Sequence, residues 1–219
     1  MRTIRVTGKG EIYVHPDTTE LTITLEGMFQ GYAETLLKSA ERTEALKERL
    51  VPLGFSRTDL KTLRFSIDTE YEEYREHGAY KQRFLGYKFT HKMKLPFDSD
   101  NSRLGIILDA LAGSGLNPEI RIAYTVKDQE AVKNELLGKA VRDATAKAEV
   151  LSSAAGLKLG DIQNVDYSWG QINFEVRPMN DLLMSEKYMM PAGGNGYGLD
   201  IEPDDIDVQD NVTVIWEIM

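Results

Sequence analysis

The residues able to do chemistry are few, and their spacing does not assemble them. Three histidines, His15, His77 and His91, fall in a turn, at a hairpin tip and in a strand. No two have the i,i+4 spacing that brings two imidazoles to one helix face around a metal ion. His91 lies on the apolar side of its strand, where a hydrogen-bonded core or interface residue is the better reading. The sequence has no cysteine, which removes disulfides, thiol nucleophiles and thiolate ligands. Asp200, Glu202, Asp204, Asp205, Asp207 and Asp210 carry the charge to attract calcium. They lack the glycine at loop position six and the closing bidentate glutamate in register. The acidic run is read as a solvated lead-in to the last strand, where outward charges discourage stray edge pairing. "GKG" at Gly8–Gly10 is not followed by the Gly-Lys-Ser/Thr of a phosphate loop and sits between strands, so a β-bulge or bend is expected there. "GNGYG" at Gly194–Gly198 has no helix after it and reads as a flexible loop. No catalytic residue, metal ligand or cofactor is expected, and the chain is read as a non-enzyme.

Surface chemistry is better represented. "DTEYEEYREHGAY" alternates acids with Tyr71, Tyr74 and Tyr80. It reads as a long β-ribbon that projects and pairs with a neighbouring subunit, since tyrosine joins an apolar body to a polar tip. "LLMSEKYMM" contributes Leu182, Leu183, Met184, Tyr188, Met189 and Met190 as further contact residues. Two readings of this loop stay open: it folds over its own core, or it meets a subunit or partner. The leading function is therefore a self-associating interaction or scaffold protein. The second is a small-ligand binder with an apolar pocket under residues 178–200. The third is a metal-dependent enzyme built on the acidic run.

The elements that must position these residues follow from periodicity. Strands are expected at Ile4–Val14, and at Leu21, Ile23 and Leu25, which alternate with Thr22, Thr24 and Glu26. Ala33, Leu36, Ala40, Leu46 and Leu50 recur at helical spacing, and the helix is expected to end near Leu50 because Pro52 follows. Two long strands around Leu63–Tyr71 and Tyr87–Leu95 flank "EHGAY". A short helix over "RLGIILDALAGSG" and a strand at Ile120–Val126 come next. Asp128 is the expected N-cap of a long helix whose stripe runs Val132, Leu136, Ala140, Ala144, Ala148, Leu151 and Ala155, closed by Gly156. A stripe centred on alanine lets a helix lie close to a sheet. Strands at Val165–Val176 and Ile206–Ile218 finish the order ββαββαβαββ, an α+β pattern. The 219 residues are expected to form one domain, with two intertwined α/β subdomains allowed by the pattern.

Composition sets limits on partners. A net charge of -9 argues against phosphate-driven nucleic-acid binding and against polybasic attachment to a membrane. No stretch reaches the roughly 20 apolar residues of a membrane-spanning helix. "MRTIRVTGKGEIYV" alternates from its start instead of showing the apolar run of a signal peptide, so a cytoplasmic location is expected.

The chain resembles the SIMPL domain family. The likeness is carried by "IRVTGKG" at Ile4–Gly10, "PD" at Pro16–Asp17, "LGFSRTDLKT" at Leu53–Thr62 and "FSIDTEY" at Phe65–Tyr71. It continues through "FLGY" at Phe84–Tyr87, "LGIILDAL" at Leu104–Leu111, "AVRDATAKAEVLSSAAGLKLGDI" at Ala140–Ile162 and "VTVIWEI" at Val212–Ile218. The resemblance implies helices packed on antiparallel sheet and, as in some bacterial members, assembly into ring- or channel-like homo-oligomers. It implies a loose link to envelope and oxidative-stress phenotypes, and it brings no catalytic residues to carry over. Many bacterial members have a signal peptide and are periplasmic, a pattern this sequence departs from.

Overall fold

The computed structural model describes residues 2–167, 172–177 and 202–219. In chain order the elements are β1 (Arg2–Val14), β2 (Thr18–Phe29), α1 (Tyr32–Leu50), β3 (Lys61–Glu76), β4 (Ala79–Asp98), α2 (Asn101–Ala112), β5 (Glu119–Thr125), α3 (Gln129–Ala154), β6 (Leu159–Asp166) and β7 (Ile206–Ile218). The α+β class and the element order expected from the sequence hold, but the strand expected at Val165–Val176 lies earlier, at Leu159–Asp166, and Val176 makes only an isolated bridge with Tyr124. The described residues divide into two compact units, one of residues 2–17, 124–167, 172–176 and 203–219, the other of residues 18–123, 177 and 202. Among the described residues no helix is long and apolar enough to cross a membrane.

In the first unit three antiparallel strands lie in the order β1-β7-β6. Asp128 caps α3 by accepting the Ala131 N–H at 2.8 Å, and Glu130 adds a favourable charge in the first turn. Gly156 closes the helix at φ 70. The buried row is Leu136, Ala140, Ala144, Ala148 and Ser152, a strict four-residue step. That step keeps Ser152 on the sheet side and turns Leu151 outward, so the stripe departs from the expected one at its C-terminal end. The row packs chiefly on β1 and β7, over Val6, Val212, Val214 and Trp216.

"GKG" is where helix and sheet meet. Gly8 and Gly10 pair with Val212 and Asp210 in unbroken register, so no bulge exists there. A Cβ on Gly8 would stand 2.0 Å from the Ala140 carbonyl oxygen, and one on Gly10 would stand 2.3 Å from that of Leu136. The glycines remove side chains from the strand exactly where alanines remove them from the helix, and the two backbones touch.

The second unit is a four-stranded antiparallel sheet of order β3-β4-β2-β5. One face carries Leu21, Ile23, Leu25, Phe89, Met93 and Leu95 against α1 and α2. Asp100 caps α2 by accepting from the Ser102 and Arg103 amides, and Arg42 ties α1 down by donating to the Glu26 and Leu116 carbonyls, each at 2.6 Å. Strands β3 and β4 outrun β2. The β2 register ends with Phe29 opposite Tyr87, whereas β3 and β4 stay paired to Glu76 opposite Ala79. His77 and Gly78, both at positive φ, form the two-residue turn at the tip.

Candidate interaction surface

The ribbon formed by the ends of β3 and β4 is organised by one irregularity. The register passes from Glu70 opposite Gly86 to Tyr71 opposite Phe84, leaving Leu85 as an extra residue. A bulge of this kind re-aims the next side chain. Without it, Phe84 would face away from Tyr87. With it, Phe84 lies between Tyr71 and Tyr87, with centroid distances of 5.6 Å and 5.3 Å. Tyr32 at the start of α1 extends the run, edge-on to Tyr87 at 5.6 Å. The bulge needs glycine at position 86, where φ is +150 and a Cβ would stand 2.6 Å from the Phe29 carbonyl oxygen. Edge-to-face rings interact favourably beyond their buried area, yet Tyr71 is 53% exposed and Tyr32 as exposed.

The register sorts the three ribbon tyrosines expected from the sequence. Tyr71 and Tyr80 share a face, since Tyr71 lies opposite Phe84 and Arg75 opposite Tyr80. Tyr80 is 78% exposed, and the Arg75 guanidinium rests on its ring at 5.9 Å. Tyr74, opposite Lys81, is on the other face, where Glu72 and Arg83 form an ion pair. Periodicity missed Phe84 and Tyr32 as members of the surface. The glycine at position 86, interrupting a strand pattern, is the signal that marks the bulge. Leu182, Leu183, Met184, Tyr188, Met189 and Met190 lie outside the described residues, as do the 178–200 loop and "GNGYG".

The chemical candidates come apart. His91 is a core residue, with Nδ1 2.9 Å from Thr43 Oγ1 and Nε2 2.9 Å from Thr62 Oγ1. Thr43 spends its proton on the Ser39 carbonyl at 2.8 Å, so it accepts from His91 Nδ1–H, and Nε2 accepts from Thr62. That arrangement suits a neutral imidazole protonated at Nδ1. Burial, and then the Lys47 charge, push its pKa below the ordinary 6.5. As pH falls below about 6.5 the unfolded chain takes up a proton that the folded one refuses, so stability drops with acidification. Urea midpoints measured from about pH 7 to pH 5 are expected to fall, and His91→Gln is expected to flatten that slope. The acids of the last segment take separate partners: Asp205 meets His15 at 3.2 Å, Asp207 accepts from Gln209 at 3.1 Å and Asp210 from Tyr167 at 2.8 Å. The desolvated Tyr167 hydroxyl is pushed up to about 12, with the Asp210 bond adding to the shift. No cluster able to hold a metal ion exists among the described residues.

Two antiparallel sheets, each backed by helix, and an exposed aromatic ribbon define an α+β protein whose distinguishing described feature is a surface. The chain belongs to the SIMPL family, described as a protein of unknown function (DUF541), whose model matches residues 4–216. Over 163 residues it is 25% identical to the 26 kDa periplasmic immunogenic protein of Brucella melitensis biotype 1, covering 74% of this chain and 65% of that protein. The protein of the same name from Brucella abortus matches to the same extent. The match thus spans just under two thirds of the length of these relatives. Their naming as periplasmic overturns the cytoplasmic location expected from the first residues. The alternation at Arg2–Val14 is that of β1, the strand under α3, and reports a fold rather than a compartment.

Proposed function

We propose that the chain is a non-enzymatic periplasmic protein that works by associating with itself, with the β3–β4 ribbon as a contact surface. The observation that carries this reading is the bulge at Gly86. It places an aromatic run in the open, where it gains little until another surface covers it. Tyr80 on the same face, with its apolar ring and polar tip, extends the area toward the hairpin tip. The relatives are named for the periplasm and not for an activity, which supports the periplasmic and non-enzymatic parts of this reading.

Sedimentation velocity on the purified chain tests it. The parent is expected to sediment as a defined oligomer, and the double variant Tyr71→Ser, Phe84→Ser as a smaller species, with association weakened at least about tenfold. An oligomer unchanged in that variant sinks the assignment of the ribbon.

A further inference from the structure

Among the described residues the sheet of the first unit leaves the outer edges of β1 and β6 without a neighbouring strand, and the two match each other. On β1 the outward-pointing groups belong to alternate residues. The Lys9 N–H is taken by Asp143 Oδ2 at 2.7 Å, and the Glu11 carbonyl by Lys139 Nζ at 3.5 Å. Both caps come from α3, which therefore reaches past the strand edge. By the same alternation Thr3, Arg5 and Thr7 also point outward, and among the described residues α3 gives them no such cap. Beside this uncapped stretch lies an apolar groove of about 380 Å³, lined by Val6, Ala146, Lys147, Val150 and Leu151. Val150 is 68% exposed.

The opposite edge, β6, supplies what this groove lacks. Ile162 pairs with Trp216 and Val165 with Val214, so both side chains point to the helix side of the sheet. Because α3 covers β1 and β7, Ile162 and Val165 are left exposed. The charges are complementary as well: Arg2 and Arg5 lie on the β1 edge, and Asp161 and Asp166 on β6. Val214 lies opposite Val6 on one side and Val165 on the other, which sets a common level for both edges. A second copy continuing the sheet at that level brings its Val165 beside Val6 and its Ile162 beside Ile4, under Val150 and Leu151. Its Asp166 comes beside Thr7, between Arg5 and Lys9.

We propose that β6 of a second copy adds to the Thr3–Thr7 edge of β1 beneath the overhang of α3, joining the sheet from copy to copy. The contact uses different surfaces on the two copies, so it propagates head to tail and closes as a ring or continues as a filament. It rests on the reading that the chain associates with itself, but it uses an edge separate from the aromatic ribbon.

The absence of native cysteine gives a clean test. Thr7 and Asp166 are both exposed, both lie opposite Thr213 on the face away from α3, and neighbouring strands are within disulfide reach. Full-length Thr7→Cys and Asp166→Cys chains are mixed under mild oxidation and separated without reductant, and native mass spectrometry is run on the parent. Cross-links in the mixture and in neither chain alone support the proposal. An oligomeric parent without the mixed cross-link, or cross-links within one variant alone, overturns it and leaves self-association standing. A monomeric parent at tens of micromolar overturns both. Independently, Asp166→Lys is expected to weaken association about tenfold and Arg5→Glu in the same chain to restore it. Failure of that rescue counts against the pairing of these edges.

Discussion

Replacing Gly8 with alanine is expected to lower stability by more than about 4 kcal/mol, near the top of the range for point substitutions. The new methyl would stand 2.0 Å from the Ala140 carbonyl oxygen and 2.4 Å from the Ala144 amide nitrogen. Both are backbone atoms of one helix, so no rotamer change relieves the overlap. Helix α3 would have to retreat by about 1 Å or more, and a gap of that size forfeits up to half of each contact's dispersion energy along the alanine row. A fall of about 10 °C or more in the thermal midpoint is the matching observation. Gly138→Ala in the same helix is the control. Its Cβ meets only the mobile end of Arg142, at 3.3 Å, so helix propensity should dominate and raise stability by about 0.5–1 kcal/mol. A Gly8 variant as stable as the parent would show that the two backbones are not in contact.

The second large effect is expected at Gly86. Alanine there meets the Phe29 carbonyl oxygen at 2.6 Å and must hold φ +150, which together should cost about 2–4 kcal/mol. Gly78→Ala separates the causes, because its φ is +82 but its surroundings are open; strain alone should cost about 1 kcal/mol. The two variants also differ in consequence. Loss of the bulge turns Phe84 away from Tyr71 and Tyr87, so Gly86→Ala is expected to weaken association as strongly as the double ribbon variant, whereas Gly78→Ala leaves the aromatic run in place. Urea unfolding with sedimentation velocity on each variant measures both effects.

The two glycine predictions show where sequence reasoning stops. Alternation at Leu21–Leu25 and the four-residue steps of Leu136–Ala148 placed strands and helices correctly, because those periods report one element meeting one buried face. Asp128 and Gly156 marked the ends of α3, since capping is satisfied within a few residues. His91 was legible as a hydrogen-bonded core or interface residue from its position on an apolar face, and the structure places it in the core. The role of Gly8 and Gly10 was not legible. What they accommodate lies more than 120 residues away in the chain, and a glycine looks the same whether it bends a strand or admits a helix. Phe84 was hidden because one extra residue at Leu85 reverses which side of the ribbon every later side chain faces. The sequence by itself determined the α+β class, the element order and the tyrosine-rich ribbon, all set by local period and composition. Only the tertiary structure decided which glycines touch the helix, which aromatics share a face and which sheet edges stay unpaired among the described residues, because each of these depends on pairing and packing between segments distant in the chain.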